Sequence, residues 1–377
     1  MTSARDFFGN HLQTLGYTQK YAAELIGCSG GTITNYIDYR RELKFPTVMN
    51  AKDSLFDGDE HFVKLFCAES RNSQNIKYSL EYLSTNRCFD EIESLINRCE
   101  RENKLLDWCK VYRLIINFQL MTDSYKSILQ RIYILSHEIK DVELKVLLDI
   151  IEANVHHNIY ESSIVTRLIE TIEEKLAEVP DSYFKSSLNI RVLELRSIDS
   201  LFSRNDPKTA RSYAKQVISS KIGTKFVADS YNIIGTSYIF EDANKSLKYM
   251  SKSIKILRKI GCQEVADIRE GGTKRFIQTY WGLNLTEGNG TTQESELAFM
   301  AAKRGETDKA LEMLDELEET PFRIYYEGVA KNDPMIHFKA LGKFIELNEM
   351  FYAQLPYREL LKHEQFKEAV KSLLNQN

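Results

Sequence analysis

The sequence predicts an all-α protein, and three observations carry the prediction. Proline and glycine are scarce, 6 and 17 in 377 residues. Proline is costly inside helices, so this scarcity favours helix over a strand-and-turn fold. From about residue 74 onward, apolar residues recur every three or four positions, as in IKYSLEYLS, FDEIESLINRCE, VELKVLLDIIEANV and SSIVTRLIETIEEKLAEV. A small-then-large apolar order also repeats in tandem towards the C-terminus, and no alternating strand or Gly-rich βαβ turn interrupts it.

Taken in order, residues 1 to 56 read as a bundle of short helices. Phe8, Leu12 and Leu15 fall at helical spacing, and Gly16 stops the helix. Thr18 suits the N-cap of TQKYAAELIG, and Ser29 that of SGGTITNYIDYRREL. Pro46 opens a further short helix. Within this bundle, residues 19–36 follow a helix-turn-helix pattern: Gln19, Ala23, Gly27, Ser29, Ile33 and Tyr36. Ala23 permits close helix crossing, and Gly27 permits the backbone of a sharp turn. Ile33 and Tyr36 should be buried beside Leu25 and Ile26. The outer face then presents Gly30, Gly31, Thr32, Thr34, Asn35 and Asp38, small and amide side chains that let a helix enter a major groove. The expected DNA contacts are Gln19, Ser29, Gly31, Thr32, Thr34 and Asn35, with Arg40 and Arg41 on phosphates. A plain helical hairpin is the alternative reading. Residues 1–46 hold five basic and four acidic side chains. Phosphate attraction by one such head is weak, so a dimer is expected.

The repeat region follows the order of tetratricopeptide hairpins, with small residues where paired helices touch. Ala298, Ala301, Gly305, Ala310, Leu314 and Leu317 fit it. Gly328, Ala340, Phe344 and Leu347 fit it again, 30 positions on from Ala298 and Ala310. Gly235, Tyr238, Ser246, Met250 and Ser253 form a rougher copy, and Ala210 and Ala214 suggest another. The predicted fold is therefore an N-terminal helix-turn-helix domain followed by a right-handed superhelix of tetratricopeptide-like helical hairpins. A generic helical bundle is the alternative. Such arrays bury a core between neighbouring repeats and present a concave surface that commonly binds peptides. The expected division is a head at 1–56, a linker at 57–73, the repeats at 74–362 and a C-terminal capping and dimerisation helix at 363–377.

Composition narrows the function. A net charge of −4 argues against non-specific coating of nucleic acid. Six scattered cysteines without C-x-x-C pairs point to reduced thiols. The start, MTSARDFFGNHLQ, lacks a signal pattern, and no apolar run is long enough to span a membrane. A cytoplasmic location is expected. Phosphate loops, H-E-x-x-H helices and G-x-S-x-G elbows are absent, so neither enzyme activity, metal nor cofactor is expected. Adjacent His156 and His157 make a poor metal pair. Gly288 to Thr292 reads as a polar turn, and Asp315, Glu316, Glu318 and Glu319 as solvated edges.

The head-plus-repeat order resembles the peptide-pheromone-sensing regulators of Gram-positive bacteria, and within them the arbitrium receptors of temperate phages. The resemblance rests on YSLEYLSTNRCFDEIESLI, KVYRLI, SYNIIGTSYIFEDANKSL, IYYEGVAKN and LNEMFYAQLPYREL. It implies a homodimer that binds operator DNA and activates transcription without peptide. A short signalling peptide then fills the repeat groove and abolishes productive binding. The resemblance puts a basic groove residue on Lys225, a polar one on Thr236, a polar pair on Gln278 and Thr279, and a peptide-pairing acid on Glu349, with Tyr326 as a further groove contact. Family asparagines fall on Ile198 and Phe202, which lack their hydrogen bonds, so a different peptide is implied. The apolar stripe Phe366, Val370, Leu373 and Leu374 reads as a terminal cap, and the resemblance makes it a dimer contact. Two other readings remain: a peptide-sensing bacterial regulator with other targets, and a repeat protein acting on a signalling partner without DNA.

Overall fold

A computed structural model describes residues 3–286 and 293–374, and these residues are helical throughout, with no strand. They fall into two compact units. The first comprises residues up to 151 together with 175–189, and the second comprises 152–174 together with the residues from 190 onward.

The first unit begins with α1 (Ala4–Thr14), α2 (Gln19–Ile26) and α3 (Gly30–Ile37). Local chemistry sets their ends. The Thr18 hydroxyl accepts the Tyr21 N–H, and the Ser29 hydroxyl accepts that of Thr32. Gly27 closes α2 with φ +71°, a left-handed conformation that favours glycine. Ala22, Ala23, Ile26, Ile33 and Tyr36 are buried between α2 and α3. Two apolar expectations fail. Leu25 is 37% exposed because it shares the outer face of α2 with Tyr21, one turn earlier. Leu15 is also exposed, because it follows the last turn of α1 and leaves its buried stripe. Helix α3 is shorter than expected: Tyr39 turns left-handed, and the Arg40 and Arg41 N–H groups fold back onto the Asn35 carbonyl.

Next come α4 (Phe45–Leu55), with Pro46 in its first turn, and α5 (His61–Glu69). Helix α5 corrects the expected linker at 57–73. Its Phe62, Val63, Phe66 and Cys67 are buried, and Phe62 lies 5.3 Å from Phe8 of α1 between ring centres. Phe8 also meets Tyr36 edge-on at 5.7 Å. The head core thus includes α5, and nothing in it is a free spacer. Beyond it run α6 (Ser73–Thr85), α7 (Phe89–Arg101), α8 (Leu106–Leu120), α9 (Tyr125–Glu138) and α10 (Val142–Asn158).

Helices α11 (Ser162–Glu178) and α12 (Tyr183–Phe202) are followed by the hairpins of the second unit. These are α13 (Pro207–Ser220), α14 (Thr224–Ser237), α15 (Ala243–Lys259), α16 (Gln263–Arg269) and, after a π turn at Glu270–Lys274, α17 (Arg275–Tyr280). Then come α18 (Glu294–Arg304), α19 (Thr307–Asp315), α20 (Pro321–Lys331), α21 (Pro334–Glu346), α22 (Gln354–Leu360) and α23 (Lys367–Leu374). The small-residue pattern marks the helix contacts: Ala210, Ala214, Ala298, Ala301, Ala310 and Ala340 are fully buried. Gly235 of α14 sits so close to α15 that a Cβ there would lie 3.0 Å from the Met250 backbone nitrogen.

The terminal helix caps this unit. Val370 is wholly buried in the unit's core, and Phe366 packs edge-on against Phe338 at 5.2 Å. Val370 therefore cannot serve as a dimer contact, because its own chain already encloses it. Leu373 stays 42% exposed. The Leu374 side chain and the Gly288–Thr292 turn lie outside the described residues. No described helix is long and apolar enough to cross a membrane.

Candidate functional site

The second unit holds a cleft of about 690 Å³, a size that suits small ligands and short peptides. Part of its wall is aromatic: Phe202, Phe276, Phe322, Tyr326, Phe344 and Tyr352 all reach it. The rings support one another, with Phe202 stacked on Tyr352 at 5.5 Å and Phe322 edge-on to Tyr352 at 4.8 Å. His157 stacks on Phe202 at 5.5 Å, and burial lowers its pKa to about 4, so it is neutral. His156 instead shares a hydrogen bond with Glu161 through Nδ1 at 2.5 Å.

Three carboxyl groups, those of Glu296, Glu318 and Glu349, and the Arg323 side chain also line the cleft; Glu318 is exposed, whereas Glu349 and Glu296 are buried. Glu349, 3% exposed, accepts a 2.8 Å hydrogen bond from the Ser162 hydroxyl. Burial raises its pKa to about 6, against the smaller opposite pull of that bond. Glu296 accepts a 2.9 Å bond from the Tyr326 hydroxyl through Oε1, while Oε2 has no partner. Burial raises its pKa to about 8, with the Tyr326 bond and the Arg275 charge opposing. At neutral pH Glu296 is therefore mostly protonated, which is the cheaper state for an acid with one uncompensated oxygen. A cation entering the cleft would reverse that preference, so the wall is chemically suited to an apolar ligand bearing one basic group.

The Glu296 carboxyl also makes folding stability depend on pH. Its folded pKa lies above the unfolded value, so its contribution is fully present below pH 4.5 and is lost as pH rises through about 8. Glu296→Gln, neutral at every pH, should leave Tm little changed at pH 5. It should raise Tm above wild type at pH 8.5 to 9, by the equivalent of a few kcal/mol at most. Melting curves across this range check it. A difference between the proteins that does not grow with pH would contradict the assignment.

Of the groove residues expected from the sequence, the cleft brings together Tyr326 and Glu349. Lys225, Thr236, Gln278 and Thr279 do not line it. Thr236 and Thr279 are 1% and 0% exposed, enclosed by helix packing. Lys225 is half-buried and tied to Asp229, which also holds Arg269. Gln278 is half-buried beside Thr279. Glu296 was missed, though a signal existed: it precedes Tyr326 by 30 residues, the repeat step, so the two occupy the same position in successive hairpins.

A second surface lies on α3. Ser29 and Gly31 are exposed; Thr32, Thr34 and Asn35 are half-exposed. The Thr34 hydroxyl reaches both Gln19 Oε1 at 2.6 Å and the Gly30 carbonyl at 3.1 Å, which fixes Gln19 beside α3. The Asn35 side-chain amide has no partner among the described residues and is available to a base edge. Arg40 and Arg41 lie in the turn after α3, not on it, and Arg40 pairs loosely with Asp38 at 3.4 Å. Among the described residues no cluster of His, Cys, Asp or Glu could hold a metal ion, and none of the six cysteines is in a disulfide.

Fold and surfaces together define a helical-repeat protein with a helix-turn-helix head and an acid-bearing aromatic cleft. Comparison with known proteins gives the class a family. The model of AimR transcriptional regulator-like proteins matches residues 59–362, and the chain belongs to that family, whose members are transcriptional regulators and not enzymes. The AimR transcriptional regulator of Bacillus phage phi3T is 24% identical over 324 residues, covering 82% of this chain and 83% of that protein. The fold resembles that of phAimR with a ligand, at TM-score 0.69 and 20% identity, over 85% of this chain and 98% of that one. A selenomethionine form of phAimR matches over 99% of this chain and 100% of that one, at TM-score 0.65 and 19% identity.

Proposed function

We propose that this chain is a peptide-responsive transcriptional regulator of a temperate phage, acting in the host cytoplasm on the choice between lysis and lysogeny. In this reading a homodimer binds operator DNA through α3 and activates transcription when the cleft is empty. A short communication peptide fills the cleft and abolishes productive binding. The single observation that carries the reading is the cleft, where two buried acids, Glu349 and Glu296, sit among aromatic rings. That combination suits a short apolar peptide with one basic side chain, which Glu349 and Glu296 would receive while Tyr326 holds Glu296 in place. Family membership and the ligand carried by phAimR support the same reading.

The operator contacts fall to Gln19, Ser29, Gly31, Thr32, Thr34 and Asn35, with Arg40 and Arg41 as phosphate contacts from the turn. Dimer contacts fall to the exposed side of α23 around Leu373. Peptide must favour the state that does not hold DNA, since a ligand shifts an equilibrium only by its differential affinity. A gel shift on DNA adjoining the gene tests the DNA half. Asn35→Ala should lose about 1–3 kcal/mol of operator affinity while keeping the fold. Equal operator binding by wild type and Asn35→Ala would remove α3 from the reading.

A further inference from the structure

Between residues 207 and 259 the chain carries eleven basic and three acidic side chains, within a protein of net charge −4. The three acids are already paired: Asp229 with Lys225 and Arg269, Glu241 with Arg211, and Asp242 with Lys245. Lys208 and Lys215 on α13 and Lys248, Lys252, Lys255 and Lys259 on α15 stay exposed, with no ion pair among the described residues. The four on α15 are spaced by four, three and four residues, so they form one stripe about 16 Å long. The opposite face of α15, with Ser246, Met250, Ser253, Ile254 and Leu257, is buried.

A merely solvated face would not look like this. Helix α15 contains no acid, and like charges one turn apart destabilise a helix. Solubility is served as well by mixed signs. Lys252 lies over the rings of Tyr231 and Tyr249, at 5.1 and 5.4 Å from their centres, which anchors its stem beside the stripe.

We propose that the α15 lysine stripe is a phosphate-binding surface for double-stranded nucleic acid, additional to α3 and independent of what α3 reads. A regular row of cations, one per helical turn, complements a regular row of backbone phosphates. A lipid surface would need an exposed apolar face beside the cations, and here that face is buried in the core. The stripe exposes no large aliphatic side chain to anchor a protein partner, and the half-buried Tyr231 and Tyr249 rings beside it are covered by Lys252.

The test uses the full-length protein and a DNA duplex of unrelated sequence, with binding followed by fluorescence anisotropy as salt is raised. The combined variant Lys248→Gln, Lys252→Gln, Lys255→Gln and Lys259→Gln should bind at least about tenfold more weakly at low salt. Its log–log salt slope should fall by about 3 to 4, one contact being worth about 0.9. Lys339→Gln with Lys343→Gln, an exposed pair on α21 already matched by Glu319 and Glu346, should keep the wild-type slope on this duplex, which ties the effect to the stripe. Circular dichroism shows whether the variant is folded, and if it is not, the pair Lys252→Gln and Lys255→Gln should lower the slope by about half as much. An unchanged affinity and slope in a folded variant would overturn the proposal. So would lysine-dependent binding to phosphatidylserine vesicles without lysine-dependent binding to the duplex.

Discussion

Replacing Glu349 with glutamine is expected to weaken binding of a peptide with one basic side chain by about 30-fold or more. Removing one partner of a buried charge pair costs about 2–5 kcal/mol, because the other charge is left desolvated and unpaired. Glu349 fits that case: it is 3% exposed, in an aromatic wall, and holds one hydrogen bond, from Ser162. Glutamine keeps the shape and can still accept from Ser162, so the fold should stand. The wild-type affinity should also fall as pH drops through about 6, where Glu349 becomes neutral, and this step should vanish in Glu349→Gln. Isothermal titration across pH checks both parts. Equal affinity in the two proteins at pH 7.5 would mean that the basic side chain goes elsewhere in the cleft.

The second large effect concerns the array itself. Gly235→Leu should destabilise the second unit by about 3 kcal/mol, because the new side chain meets backbone, which cannot swing aside. A Cβ would lie 3.0 Å from Met250 N and 3.1 Å from the Ser246 carbonyl oxygen. For a domain of this size that is roughly 6–12 °C in Tm. Gly342 supplies the opposite sign. It sits in α21, and a Cβ at that position would meet nothing within 4 Å, so Gly342→Ala should stabilise by about 0.5–1 kcal/mol through helix propensity alone. Calorimetry on both variants tests the pair. A tolerated leucine at 235 would show that α14 and α15 are not held as closely as described.

The helix-turn-helix was legible because its determinants are local. A capping hydroxyl at Ser29, a left-handed Gly27 and an alanine at the crossing need no knowledge of distant residues. The repeats were legible for a related reason: Ala298 and Gly328, or Ala310 and Ala340, report a helix contact made by neighbours in sequence. Helix α5 was not legible, since Phe62 and Phe66 are buried by Phe8 and Tyr36, tens of residues away. Val370 failed in the same manner; an apolar stripe says that something covers it, not whether that cover is its own chain. The groove residues show a third limit. A shift of one residue turns a helical side chain by about 100°. Thr236 and Thr279 thus fell on packed faces, while Glu349 and Tyr326 faced the cleft. Glu296 lies one repeat before Tyr326, a spacing the sequence carries, and the structure shows that the two share that wall.

In the proposed function, occupation of the cleft controls DNA binding through α3. It is tested most directly by measuring operator affinity with and without the synthetic peptide encoded by the small reading frame next to the gene, in wild type and in Glu349→Gln. Peptide should abolish specific binding by wild type, and Glu349→Gln should bind the operator normally yet need about 30 times more peptide to release it. Operator binding by wild type that is indifferent to saturating peptide would rule out control of α3 by the cleft.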